Sequence, residues 1–385
     1  MKETVMPRLL RQFGVLFCST LFTGALAWEV PAQNDQLEVV TTILPISQFT
    51  LAVAGDRATV TPLIPTNMGP HGFQARPQDA QMLSNADVLV INGLEMEGFL
   101  DGLIENAGNP DLVMIDTSEG IATIATAEGH DHGHEGEHGH SDKEDHDHAH
   151  EEEHSHEEDH AHGDHDHGDE HGHSDKEDHD HEHGDHDHGH SHGEFDPHVW
   201  LDPKRAIQQV ENIRDGLIAA DPEGEEAYTA NAAAFIDELR TLDQEIATRL
   251  QPYEGKPFVV FHDFAAYFAD SYGLESEFLV EAPEENAAPE DVRRIMETVQ
   301  EAGLQTVLTE PQADGGSPFE AIAQDLGIQV SVFDPLETGP ETALDPEYYL
   351  TIMRQNAENL ASAFAAESAA LPQIPVVGWA QGISQ

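Results

Sequence analysis

The chain has 385 residues, with 75 acidic side chains against 16 basic ones, a formal net charge of −59 with neutral histidines, and one cysteine. This charge argues against nucleic acid or an anionic membrane surface as a partner, because phosphate binding requires basic patches, and it favours cations. The length is sufficient for two domains of ordinary size.

Residues 1–27 have the pattern of a secretory signal peptide. A basic start is followed by an apolar run, and Ala25-Leu26-Ala27 matches an A-x-A cleavage site. The apolar run is too short for a comfortable membrane span. We therefore expect a periplasmic mature protein that begins near Trp28.

The single cysteine, Cys18, lies inside this segment and would leave with it. An alternative is that Cys18 carries a lipid anchor, although the bulky Phe17 before it is unusual for a lipobox. A mature chain without thiols must build any metal site from nitrogen and oxygen ligands.

Strands and helices alternate from residue 28 to about residue 220. The segments LEVVTT, ATVTPLIP, DVLVING and LVMIDTS are predicted strands, and the helical patterns ISQFTLAVAG, RPQDAQMLSNA and EGFLDGLIENAG lie between them. This alternation predicts βα units on a largely parallel sheet, which forms an N-terminal α/β lobe over residues 28–220.

A tract of His, Asp, Glu and Gly interrupts this lobe between residues 128 and 194. It contains 23 of the 26 histidines, and the string HGHSDKEDHDH occurs in it twice, at residues 138–148 and 171–181. The repeat suggests slippage duplication, and the lack of apolar residues to bury predicts disorder without metal.

A long helix is predicted to join this lobe to a second one. Apolar residues recur at helical spacing over about 28 residues inside the segment 221–252: Tyr228, Ala232, Phe235, Leu239, Leu242, Ile246 and Leu250. Strands and helices then alternate again over residues 253–385. The predicted fold is therefore α/β, with two (β/α)4-like lobes, a long rigid linking helix and a cleft between the lobes.

Three histidines lie outside the tract, and none of them is on a predicted helix surface. His71 lies in the loop NMGPHGFQARP, His198 lies in or beside a short strand in DPHVWLDP, and His262 ends the strand FVVFH. Because open α/β sheets bind ligands at the carboxyl ends of their strands, these positions are candidates for one site in the cleft. A structural hydrogen-bonding role is the alternative for each histidine taken alone.

Five segments in order along the chain resemble the solute-binding proteins of bacterial zinc and manganese ABC importers, and most closely the ZnuA-type zinc-binding subunits. They are PHGFQARPQDAQMLSNADVLVINGLEMEGFL, DPHVWLDP, FHDFAAYFADSYGLE, EENAAPEDV and TEPQAD. The resemblance covers nearly all of the mature chain. It implies two (β/α)4 lobes, a rigid helix between them and one metal ion between the lobes.

The resemblance also implies a set of ligands. The first three family positions fall on His71, His198 and His262, and the fourth falls on Asp314 in TEPQAD. Asp314 is also suited to a turn before two glycines, so Glu310 and water remain alternatives for the fourth ligand. Trp200, two residues from His198, is interpreted as a core residue.

Three imidazoles with at most one carboxylate suit Zn²⁺, whereas the manganese relatives have Glu at the third position. We therefore expect a monomeric, non-enzymatic protein that captures periplasmic Zn²⁺ and delivers it to the membrane permease of an ABC importer, with the tract as an accessory zinc collector. The alternatives are a manganese or iron importer subunit, a periplasmic zinc store or adhesin, and a zinc enzyme, although no HExxH motif lies outside the His-rich tract.

Overall fold

The computed structural model describes residues 36–126, 193–283, 286–311 and 318–370, without the side chains of residues 368–370. The predicted signal peptide and nearly all of the His-rich tract lie outside the described residues. The domain boundaries at residues 220 and 252 stay a prediction.

The N-terminal lobe is a parallel sheet with helices beside it. Its strands pair in the order β2-β1-β3-β4, and every pairing is parallel. The elements are β1 (Leu37–Thr41), α1 (Leu44–Ala54), β2 (Ala58–Pro62), α2 (Pro77–Ser84), β3 (Val88–Ile91), α3 (Leu100–Ala107), β4 (Val113–Asp116) and, after the tract, α4 (Pro203–Ala220). The central strand β3 is a continuous apolar run, VLVI, because helices cover both faces of such a sheet.

The C-terminal lobe has the same strand arrangement. Its strands pair in parallel in the order β6-β5-β7-β8. The elements are β5 (Pro257–His262), α6 (Ala266–Tyr272), β6 (Glu275–Val280), α7 (Pro289–Ala302), β7 (Thr306–Thr309), α8 (Pro318–Leu326), β8 (Gln329–Val332) and α9 (Pro346–Ala370). The prediction of two parallel α/β lobes is confirmed.

The linking helix is α5, which runs over Glu225–Leu250 for 26 residues, or about 39 Å at 1.5 Å per residue. It begins three residues later than the sequence pattern suggests, because Pro222–Gly224 form a 3-10 turn. All seven predicted apolar positions are buried, together with Ile236. Helix α5 packs against α1, α4 and α9, so one hydrophobic cluster runs through both lobes.

The sequence pattern allowed a strand around His198, but the structure has none in this segment. Val199–Leu201 form a 3-10 turn that leads into α4, and Asp202 caps that helix by accepting a hydrogen bond from the backbone amide of Lys204 at 3.0 Å. The extended backbone stops earlier, at an isolated antiparallel bridge between Ala125 and Phe195. Within the described residues, no helix combines the length and apolar character needed to cross a membrane.

Candidate metal centre

Three imidazoles and one carboxylate converge where the two lobes meet. His71, His198, His262 and Glu337 each offer a ligand atom, and these atoms all lie within 4.8 Å of one another. The ring centroids of the histidines are 5.4 to 5.8 Å apart. It is the one such group of His, Cys, Asp and Glu among the residues that the structure describes.

The fold explains why these side chains meet. His262 is the last residue of β5, a central strand of its sheet, and Glu337 follows β8 of the same sheet. His71 lies in the loop between β2 and α2, and His198 lies directly before the 3-10 turn that leads into α4. Ligands gather at the carboxyl ends of parallel strands because the connecting loops of such sheets leave a crevice there.

The carboxylate of Glu337 stands at the centre of the group. Its Oε1 atom lies 3.1 Å from Nε2 of His71, 3.4 Å from Nε2 of His198 and 3.3 Å from Nε2 of His262. The side chains of His198, His262 and Glu337 are at most 3% exposed. All three imidazoles therefore present the same ring nitrogen to one point inside the protein.

Two further carboxylates hold the opposite ring nitrogens. Nδ1 of His198 lies 2.7 Å from Oδ1 of Asp196, and Nδ1 of His262 lies 2.6 Å from Oε1 of Glu310. An imidazole that donates its Nδ1–H to a carboxylate keeps the Nε2 lone pair for a metal ion and cannot rotate away from it. Asp196 and Glu310 thus fix both the tautomer and the direction of the two buried rings.

The charges of the group perturb its acid–base properties. Burial by itself would raise the pKa of Glu337, but the neighbouring histidines outweigh it and hold this pKa well below its ordinary value. Burial would lower the pKa of His262, yet the carboxylates of Glu310 and Glu337 raise it to about 10. The pKa of His198 is also raised, because Asp196 and Glu337 outweigh burial. A metal ion that binds here must therefore displace protons.

The chain matches the model of a known protein family over most of its length. The family model described as the periplasmic component A of the zinc-uptake complex, ZnuA, matches residues 39–363, which is most of the sequence. This chain belongs to the ZnuA family.

Individual relatives agree with this assignment. The zinc-binding protein AdcA of Streptococcus pyogenes serotype M3 is 27% identical over 353 residues, a match that covers 90% of this chain and 60% of AdcA. The manganese-binding lipoprotein MntA of Halalkalibacterium halodurans is 23% identical over 362 residues, covering 93% of this chain and 99% of MntA. The chain thus spans about three fifths of the length of AdcA.

Solved structures share the fold. A crystal structure of ZnuA matches with a TM-score of 0.62 and 25% identity, covering 86% of this chain and 99% of that chain. Zn(II)-bound AdcA from Streptococcus pneumoniae matches with a TM-score of 0.61 and 25% identity, covering 85% of this chain and 57% of that chain. The architecture of the ZnuA family is therefore the architecture of this chain.

The structure places the predicted ZnuA-family ligands as follows. His71, His198 and His262 lie together, whereas Asp314 lies outside the described residues, so its role stays a prediction. Glu310, the alternative fourth ligand, is not in the group of converging ligand atoms and instead contacts Nδ1 of His262.

Glu337 is the residue that sequence reasoning missed. One signal for it was present, since Glu337 follows a strand of the same sheet as His262, which is the rule that identified the histidines. The surrounding segment FDPLETGP instead suggests an ordinary turn, because it contains two prolines and a glycine.

Proposed function

We propose that this chain is a solute-binding protein that captures Zn²⁺ in the periplasm and delivers it to the membrane permease of an ABC importer. The observation that carries the proposal is the convergence of three Nε2 atoms and the Glu337 carboxylate. Three imidazole nitrogens and one carboxylate oxygen supply the four ligands that Zn²⁺ commonly takes in proteins. Family membership and the zinc-binding relatives support this function.

The same donor set favours binding over catalysis. Catalytic zinc sites keep an open position for water beside three protein ligands, whereas a fourth protein ligand closes the coordination sphere. Glu337 is 4% exposed and sits among the three imidazoles, where it would take that fourth position. The zinc is therefore cargo in this proposal.

Metal content and competitive affinity test the proposal. We would delete residues 128–192, retaining Thr126 and Gly193, whose hydrogen bond already holds the two ends of the tract together. The expected result is one tight Zn²⁺ site, weakened by orders of magnitude in His262→Ala and strongly in Glu337→Gln. Glu341→Gln is the matched control, because Glu341 is an exposed carboxylate shortly after Glu337. Tight zinc binding by His262→Ala would refute the assignment.

A manganese carrier is the second candidate, supported by the likeness to MntA. The third imidazole, that of His262, argues against it, because Mn²⁺ prefers oxygen-rich sites. His262→Glu tests whether this imidazole selects Zn²⁺ over Mn²⁺. The Glu310 carboxylate lies 2.6 Å from Nδ1 of His262, so in this variant it would face a second carboxylate. We expect a shift toward Mn²⁺ only in His262→Glu combined with Glu310→Gln, with Glu310→Gln alone as control. A wild-type site that prefers Mn²⁺ over Zn²⁺ would overturn the zinc assignment.

We further propose that the tract collects zinc beside the site. The two ends of the tract are joined: the backbone amide of Thr126 donates to the carbonyl of Glu194 at 3.2 Å, and that of Asp196 donates to the carbonyl of Ile124 at 2.9 Å. Asp196 also contacts Nδ1 of His198, so the C-terminal end of the tract lies beside the site. A tethered ligand meets its neighbour at an effective concentration of about mM for a short flexible linker.

The kinetics of zinc uptake separate collection from storage. We would compare the on-rate at limiting zinc in the intact chain, in the deletion variant and in a variant with every tract histidine changed to Gln. The His-to-Gln variant retains the acidic residues of the tract and their electrostatic field. It therefore distinguishes capture by imidazoles from electrostatic steering. A faster on-rate in the intact chain alone supports transfer from the tract. Equal on-rates with only the total capacity changed would leave the tract as a buffer.

A further inference from the structure

Glu337 lies on a loop whose backbone is held in an unusual conformation. We define the Glu337 loop as residues 334–340, which follow β8. Leu336, directly before the carboxylate, has a φ of 63° and is fully buried. A leucine rarely adopts this left-handed region, because its Cβ crowds the backbone, so the surrounding structure must hold it there.

The contacts that hold the loop come from both lobes. From the C-terminal lobe, the Asn356 side chain accepts from the amide of Asp334 at 2.9 Å and donates to its carbonyl at 2.7 Å. Asp334 Oδ1 in turn accepts from the amide of Leu336 at 2.8 Å. From the N-terminal lobe, the carbonyl of Thr66 accepts from the amide of Gly339 at 2.6 Å.

Trp200 supplies a second contact from the N-terminal lobe to the Glu337 loop. Its Nε1–H donates to the carbonyl of Pro335 at 2.8 Å, two residues before Glu337. The same indole lies edge-on to the ring of His198, with 5.1 Å between the centroids. Trp200 is fully buried, and its own carbonyl accepts a hydrogen bond from the Tyr349 hydroxyl at 2.6 Å. One side chain of the N-terminal lobe thus contacts a ligand histidine and the loop that bears the ligand from the other lobe.

We propose that Trp200 is a positioning residue for Glu337, which it holds at the three imidazoles through Pro335 and the left-handed Leu336. The sequence pattern suggested only a core role for Trp200, and its indole donor is what distinguishes the two roles. The proposal rests on the function proposed above, because it requires Glu337 to bind the metal. A carboxylate that is already in place does not have to be ordered when the ion arrives, so binding is tighter and release slower.

A double-mutant cycle between Trp200→Phe and Glu337→Gln tests the proposal in the full chain. Phe retains the aromatic ring and removes the indole donor. Losing one hydrogen bond of ordinary strength lowers zinc affinity about fivefold to tenfold, and zinc release to a chelator becomes faster by a similar factor. In the Glu337→Gln background, the same Trp200 change is expected to have an effect below about twofold, because no carboxylate remains to be positioned. The tract histidines are changed to Gln throughout, so that only the site is measured.

Tyr228→Phe is the matched control, because Tyr228 is a buried aromatic donor that bonds Asp221 away from the site. It should leave zinc affinity unchanged in both backgrounds. If Trp200→Phe does not fold, Trp200→Met replaces it, since Met is apolar, fills irregular space in a core and likewise removes the indole donor. Co²⁺ spectra give a second readout, in which Trp200→Phe should shift part of the way toward Glu337→Gln.

Equal effects of Trp200→Phe with and without Glu337 would overturn the proposal and leave Trp200 a structural residue. That result differs from a failure of the proposed function, in which Glu337→Gln itself leaves zinc affinity unchanged.

Discussion

Asp196→Asn should weaken zinc binding although Asp196 is not one of the converging ligands. Asp196 Oδ1 accepts from Nδ1 of His198 at 2.7 Å and from the backbone amide of His198 at 2.9 Å. The carboxylate is 2% exposed, and its Oδ2 atom has no hydrogen-bond partner among the described residues. Asn would retain one acceptor, but it would lose the charge and place a buried amide donor at the position of Oδ2.

The size of the effect follows from these contacts. Replacing a carboxylate that supports a ligand histidine typically costs about tenfold to a hundredfold in metal affinity, which is about 1.4 to 2.7 kcal/mol. A charge-assisted hydrogen bond has a similar value of about 1.5 to 3 kcal/mol, so the two estimates agree. We expect the loss to lie in this range, because the Asn side chain can still accept one hydrogen bond.

The assay is a competitive zinc titration against a chelator, in the variant without residues 128–192. Asp79→Asn is the matched control, because Asp79 is a buried carboxylate that accepts a backbone hydrogen bond from Arg76 at 2.7 Å and contacts no ligand histidine in the described structure. Thermal unfolding of each apo protein checks that the fold is retained. An Asp196→Asn protein that binds zinc within twofold of its parent would refute the reasoning.

Three further outcomes are expected. Burial raises the pKa of Glu97 from 4.5 to about 7, so its protonated form contributes stability that is present below about pH 4.5 and is lost as the pH rises to about 7. Glu97→Gln should therefore remove about 3 kcal/mol of pH dependence from urea unfolding over this range, and an unchanged pH profile would contradict the assignment. Because carboxylates raise the pKa of His198, and raise that of His262 to about 10, zinc binding near pH 7.5 should release about one proton or more, and zinc affinity should fall as the pH drops below about 10. Calorimetry in buffers of different ionisation enthalpy counts these protons, and the absence of release would show that the rings are already deprotonated. Finally, the 26-residue helix α5 packs against both lobes, so small-angle scattering of the deletion variant should show little compaction with zinc, whereas a large compaction would show that the lobes close like a hinge.

The periodic and strand-end features of this chain could be predicted from its sequence. The apolar spacing of α5 predicted its buried face, and the strand ends before His71 and at His262 predicted that these two residues would lie on the same side of the sheets. Both predictions rest on local patterns that have a defined geometry in space.

The residues that sequence reasoning did not place depend on tertiary contacts. Glu337 reaches the site through a left-handed leucine, and no hydrophobic periodicity predicts that conformation. The turn at Val199–Leu201 was open to interpretation as a strand, because a short apolar run is compatible with either structure. Glu310 was considered as a ligand, and only the geometry shows that it contacts the far side of the His262 ring.

The pairing of Thr126 with Gly193 and Glu194 has an evolutionary consequence. Since the two ends of the tract meet in hydrogen bonds of the fold itself, the number of residues between them does not enter the geometry of the lobe. Doubling the length of such a loop costs only about 0.6 kcal/mol of closure entropy. The HGHSDKEDHDH string occurs twice in the tract, which is the pattern that replication slippage leaves. Replication slippage alone can therefore change the number of histidines in the tract, while the buried histidine cluster a few residues away keeps its geometry.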